Sequence, residues 1–439
     1  MTAPRPRLFA PGTFTWALGI EDTCVYPRPA DDASPLDEHV LTEHDVNWYE
    51  DLTTVRALGA TAVRYGASWP VVHMAPGRFD WDHLDRAADA ARELGLSVIV
   101  DLVHYGCPPW LAGSFSDPGF AGALAEFAGA LAHRYRGRID YFTPVNEPLT
   151  TASFSGLRGV WPPYGTGWHG WVDVTVNIAR GVAAAERAIR AANPDALIVH
   201  VEATALHETA RDDLLGEVDH LAAVSRLPLE LALGRVDVHH PMRDWLIEHG
   251  ARDSDLTALV SAPATPDVLG VNYYPDLTPR TLVLHEGQVT QIAVDRGAGG
   301  LEEVLSSYAQ DYRLPLAITE TSVEGTDEVR SAWLRSAART VARMRRDGLD
   351  IRGFTWWPLL DFVDWSYAAG GANVEEFLVP DASGADAYAP LLLAAGRGLT
   401  PADFLRRMGL VRLEPDEDGQ LGRVVTSTAA VFSELASDR

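Results

Sequence analysis

Three pieces decide the fold: Ser97-Val98-Ile99-Val100-Asp101-Leu102, the Ala- and Leu-rich run Ala121–Tyr135, and Tyr141-Phe142-Thr143-Pro144-Val145. Two short β-rich runs flanking a long stretch of helical spacing form the pattern of parallel strands joined by a crossover helix. Outward from this unit the pattern repeats. Further strands are expected at Phe14–Ile20, Thr61–Tyr65, Ala196–Val201, Val268–Asn272, Leu316–Thr319 and Gly353–Trp357. Helical patterns at Trp48–Leu58, Leu84–Leu94, Val172–Ala192, Leu301–Tyr312 and Glu328–Arg346 lie between them. Asp82 is placed to cap the second helix, and Gly95 and Gly348 to end helices in the left-handed conformation. Eight strands alternating with helices predict an α/β fold, a closed (β/α)8 TIM barrel, and 439 residues fit one domain spanning 1–439. Leu282–Ile292 reads as a hairpin around His285-Glu286-Gly287, and Ala368–Arg407 as a loop insert or lid after the eighth strand.

Charge narrows the partners. The chain carries 36 basic and 61 acidic residues, a net charge of −25, so a polyanionic backbone would be repelled and no nucleic acid partner is expected. Every basic residue is Arg, because the sequence contains no Lys. Schiff-base, pyridoxal and Walker-loop chemistry, which need a lysine amine, are thereby excluded. No run reaches the roughly 18 apolar residues of a membrane span, so no membrane partner is expected. Cys24 and Cys107 are the only cysteines, which with the lack of a signal-like stretch predicts a cytoplasmic protein. His239-His240 has no second ligand pair at a recognisable spacing, so no metal is expected there.

In such a barrel the reacting groups project from the C-terminal ends of the strands. That rule selects Arg64, His104, Asn146, Glu147, Glu202, Asn272, Tyr273, Tyr274, Glu320 and the group Trp356, Trp357, Asp361, Asp364 and Trp365. Carboxylates, amides and indoles form the inventory of a sugar site: flat rings stack on pyranose C–H faces while amides and acids read hydroxyls. Hydrolysis of a glycosidic bond needs one protonated and one ionised carboxyl, and Glu147 and Glu320 stand at the ends of opposite strands. Retention requires a carboxyl separation of about 5 Å and inversion about 6.5–9.5 Å, a choice that sequence leaves open. Glu202 has three readings: a third active-site carboxylate, the structural partner of an Arg, or a substrate contact.

Thr143-Pro144-Val145-Asn146-Glu147-Pro148 resembles the acid/base motif of glycoside hydrolase family 1, and Ile318-Thr319-Glu320-Thr321 its nucleophile motif. Four further stretches follow in the family's order: Arg64 with Ser68-Trp69-Pro70; Leu102-Val103-His104 with Pro109-Trp110-Leu111; Asp267 to Tyr274; and Trp357 to Trp365. The likeness covers roughly residues 14 to 435 and implies a β-glucosidase-like, exo-acting, retaining β-glycosidase that needs no cofactor. It implies that Glu147 is the acid/base and Glu320 the nucleophile, with Asn146 on the sugar 2-hydroxyl. Arg64 and Tyr274 would position Glu320 and keep it ionised. His104, Asn272, Trp357, Asp364 and Trp365 would bind the substrate.

Two departures fall on sugar recognition. The first motif, Trp16-Ala17-Leu18-Gly19-Ile20-Glu21, lacks the family's Gln and offers Glu21 instead, and the usual glutamate of the last motif is Asp364. The expected partner is a carbohydrate or small glycoside whose glycone need not be glucose. Two other readings share the same residues: a transglycosidase using the same intermediate, and a catalytically silent sugar-binding barrel.

Overall fold

Strands β1 (Thr15–Gly19), β2 (Ala62–Gly66), β3 (Ser97–Asp101), β4 (Tyr141–Thr143), β5 (Leu197–Ala203), β6 (Val268–Asn272), β7 (Leu316–Glu320) and β8 (Ile351–Trp356) pair in parallel, each with the next, and β8 pairs with β1. The expected eight-stranded barrel is therefore the observed one, with each strand within about two residues of its predicted bounds. This computed structural model describes residues 7–20, 23–28, 34–285, 287–370, 372–373, 391–392 and 400–437. Glu21, and most of the insert Ala368–Arg407, lie outside the described residues.

Side chains alternate across a strand, and this period decides which residues face the lumen. Ala17, Ala62, Ile99, Leu197, Val199, Val201, Val268 and Ala317 form an interior cluster with Leu8 and Phe9. Phe9 seals the N-terminal end of the strands, beside Thr15 and Gly353. The intervening Leu18, Val63, Tyr65, Val98, Val100, Ile198, Leu269, Val271 and Ile318 pack outward into the larger core shared with the helices. Continuing the inward series to the C-terminal ends gives Arg64 on β2, Asp101 on β3 and Asn272 on β6. The charged and amide groups thus sit in the last inward layer, above the apolar cluster.

The crossover helices include His44–Ala57, Asp82–Leu94, Phe120–Arg134, Gly167–Ala192, Gly297–Tyr312 and Asp327–Arg346, each covering its predicted run except that Leu58 and Tyr135 are the C-caps of the first and third. Asp82 is the first helical residue, and Trp81 takes the cap position. Gly95 and Gly348 are left-handed, at φ +79° and +103°, as their place after a helix requires. Leu215–Ala232 is an additional helix that carries Pro228 within it, and Ser427–Ser437 is another, packed on Asp327–Arg346. The hairpin is present as Pro279–His285 against Gln288–Ala293, in the connection after β6.

Candidate active site

The Glu320 side is built around one buried cation. Arg64, 1% exposed, pairs with both Asp101 and Glu320, and its Nη2 donates to Asn146 Oδ1 at 2.7 Å. Tyr274 donates its phenol to the other Glu320 oxygen at 2.7 Å. A local irregularity aims Glu320: Val271 pairs with Ile318 but Asn272 pairs with Glu320, so Thr319 is the extra residue of a bulge. That insertion lets Thr319 and Glu320 both serve the lumen, which strict alternation would forbid. Thr319 Oγ1 donates to Asn272 Oδ1 at 2.7 Å.

On the Glu147 side the donors are neutral. Asn272 Nδ2 donates to Glu147 Oε1 at 2.7 Å, and Tyr105 donates its phenol to Oε2 at 2.7 Å. Glu147 follows the short strand β4 and precedes the short helix Pro148–Ala152, with its own backbone left-handed at φ +43°. It keeps 7% exposure against 2% for Glu320, which places it nearer the entrance. His104 joins the two sides: Asn146 Nδ2 lies 3.0 Å from its Nε2 and Asp101 3.3 Å from its Nδ1, the network thereby assigning the proton to Nδ1.

Electrostatics correct one expectation. Arg64, His104 and Tyr274 do lower the proton affinity of Glu320, but burial outweighs them, with the Glu147 charge adding to it, and the carboxyl is pushed up to about 8. One guanidinium serves both Asp101 and Glu320, and it does not offset the burial of Glu320. Burial and the Glu147 and Glu320 charges also raise the Tyr105 phenol well above its ordinary value, so it stays a donor.

Several expected contacts lie elsewhere. Leu197, Val199 and Val201 face inward, so His200 and Glu202 project from β5 to its outer face. There Glu202, fully buried, accepts from His200 Nε2 at 2.9 Å and from the Leu149 backbone N–H at 3.2 Å. The Leu149 contact ties Glu202 to the helix that begins beside Glu147. Trp356 packs into the outer core, and Asp361 accepts from Arg407 and from the Gly409 and Leu413 backbones. Asp364 caps its own turn through the Ser366 N–H at 2.8 Å, with Arg406 at 3.7 Å. Trp357 packs with Tyr274, over Gly19, where any side chain would strike its indole. His240 pairs with Glu230 at 2.8 Å.

Sequence reasoning missed Asp101, Tyr105 and Trp161. Trp365 stands in an aromatic cluster with Tyr105, Phe154 and Trp161, ring centroids 5.0–5.2 Å from it. Trp161 and Trp365 also line a cleft of about 360 Å³ with Val25, Leu36, Tyr164 and Ala368. The signal for Asp101 was its place as the last inward residue of β3. Trp161 comes from the connection after β4, where no periodicity marks it.

The family model for glycosyl hydrolase family 1 matches residues 31–291. The bifunctional β-D-glucosidase/β-D-fucosidase of Bifidobacterium breve is 27% identical, over 84% of this chain and 92% of its own length. β-Glucosidase A of Thermotoga maritima is 24% identical, over 74% of this chain and 80% of its own. A solved structure of a family 1 β-glucosidase from Thermotoga maritima superposes with a TM-score of 0.77 at 19% identity, covering 97% of this chain and 98% of that one, and so shares the fold. By the extent of the family match, the chain belongs to glycosyl hydrolase family 1 and is a glycoside hydrolase.

Proposed function

We propose that the chain is an exo-acting, retaining β-glycosidase in which Glu147 is the acid/base and Glu320 the nucleophile. The observation that carries this reading is the asymmetry of donors among the described residues: Glu320 touches a guanidinium, while Glu147 accepts from an amide and a phenol. The guanidinium favours the ionised form of Glu320 against its burial, as attack on a sugar requires, while the donors on Glu147 are neutral. Glu320 attacks the anomeric carbon while Glu147 protonates the leaving oxygen, giving a covalent glycosyl-enzyme. Glu147, now ionised, then takes a proton from water as it attacks the same carbon. Asn146, held by Arg64 and His104, is positioned for the 2-hydroxyl, and Trp357 and Trp365 for the sugar face.

The reading extends to the glycone. Asp364 sits where the family's resemblance puts a reader of the far hydroxyls, yet its carboxylate caps Ser366. With less polar recognition at that end, a 6-deoxy sugar loses little, and the Bifidobacterium breve relative is named for both β-D-glucoside and β-D-fucoside cleavage. Aryl β-fucosides are expected to be cleaved at least as efficiently as aryl β-glucosides, compared by kcat/KM. Glu320→Gln is expected to abolish release from both, by at least about 10⁴-fold. Unchanged turnover in that variant would sink the assignment.

A further inference from the structure

From the hydrogen bonding of Glu147 we infer that Tyr105 is a positioning residue for the acid/base: its phenol fixes Glu147 Oε2 and sets how readily that oxygen holds a proton. The inference rests on the proposed role of Glu147. Its ground is an accounting of two oxygens. Oε1 is taken by Asn272, which is itself held by Thr319 and buried. The Asn272 amide N–H can only donate to Oε1, whereas the Tyr105 hydroxyl on Oε2, at 2.7 Å, can donate or accept, so Oε2 is the oxygen that can exchange a proton.

The chain goes to some length to put that hydroxyl there. Tyr105 is left-handed at φ +72°, a conformation that is strained for a bulky residue. The next residue must be Gly106, since any side chain on it would run into the Cys24 carbonyl. His104, Trp161 and Trp365 then fix the ring, with centroids 4.5, 5.0 and 5.2 Å away. Both ends of the hydrogen bond thus sit on strained backbone held by packing. A filler in an aromatic cluster needs no such placement of its oxygen.

A phenol donating to a carboxylate stabilises the anion. Removing it raises the proton affinity of Glu147 and loosens its aim. The groups facing Glu147 from the surrounding elements stay in place: Glu320 with Arg64 and Tyr274 from β7, β2 and the end of β6; Asp101 and His104 from β3; and Glu202 with His200 from β5. A shift confined to one limb of the pH profile is therefore attributable to the phenol.

The experiment compares Tyr105→Phe with the parent enzyme on aryl β-glycosides of graded leaving-group acidity. On poor leaving groups, which need the acid, kcat/KM is expected to fall about ten- to a hundredfold, the effect of one hydrogen bond to a charged group. On these substrates the basic limb of the kcat/KM profile is expected to move upward while the acidic limb stays, whereas on a dinitrophenyl glycoside, which does not need the acid, kcat/KM is expected to change little. An equal loss on all leaving groups with an unmoved basic limb would overturn the inference. If the Phe variant does not fold, 3-fluorotyrosine at position 105 replaces it: the more acidic phenol should move the basic limb downward, and no movement overturns the inference. Glu147→Gln separates the two claims. Activity retained on poor leaving groups in that variant defeats the reading of Glu147 itself, whereas activity lost there with Tyr105→Phe unaffected defeats only the role of Tyr105.

Discussion

Glu147 and Glu320 are the same side chain in two surroundings. Glu320 lies deeper, on a bulged strand, with a guanidinium on one oxygen and a phenol on the other. Glu147 lies on a left-handed turn nearer the entrance, with two neutral donors. The difference teaches that role follows from the charge of the donor and the depth of the group, not from the identity of the acid. On the proposed reading, the carboxylate that attacks is the one given a cation, and the one that exchanges a proton is the one given neutral donors.

Removing the cation breaks the comparison most severely. Arg64→Met leaves buried carboxylates unpaired, and a loss of roughly 3–5 kcal/mol is expected in denaturant unfolding. In the fraction that folds, kcat/KM should drop by about 10²–10³ and its acidic limb should move up, because the largest influence opposing the burial of Glu320 is then gone. The parent enzyme should already show an acidic limb above the ordinary carboxylate range, since Glu320, pushed up to about 8, is progressively protonated below that pH. An acidic limb unmoved by the substitution would mean that Arg64 does not govern Glu320.

Glu320→Gln sharpens the comparison through stability. The folded carboxyl holds its proton up to about 8 against an ordinary 4.5, so below 4.5 both states are protonated and the site costs nothing. As pH rises from 4.5 to 8, the unfolded chain ionises more easily, and the folded state is penalised increasingly. The variant should therefore melt above the parent, with a gap that opens across that window and holds above it. A gap independent of pH would contradict the electrostatic origin.

The smallest effect is expected on the outer face of the barrel. Glu202→Gln keeps an acceptor for the Leu149 N–H, so KM should change less than about threefold and stability by about 1 kcal/mol. A tenfold rise in KM would return Glu202 to the sugar site.

Glu202 also shows where legibility ended. A polar residue closing an apolar run was the rule that found Arg64, Glu147, Asn272 and Glu320, and it selected Glu202 equally. Only the inward register of Leu197, Val199 and Val201 separates them, and a strand buried on both faces hides that phase, since His200 and Glu202 on its outer face are buried too. Glu320 is the converse case. Its phase is reset by the bulge at Thr319, a pairing irregularity without a sequence mark beyond the motif itself. The barrel was legible because eight repeats of one local pattern admit few topologies. The helix Leu215–Ala232 was not, because Pro228 breaks the local signal while tertiary packing keeps the helix. Tyr105 escaped because its hydroxyl reaches Glu147 only through a left-handed backbone, which its residue type gives no reason to expect.

The central claim is that Glu320, the cation-paired carboxylate, forms a covalent bond to the sugar. Its most direct test is the proton NMR signal of the first sugar anomer released from whichever aryl β-glycoside turns over fastest, recorded before mutarotation. The account predicts the β anomer, from two successive inversions at one carbon. Initial release of the α anomer would contradict it, because water and not Glu320 would then be the attacking group.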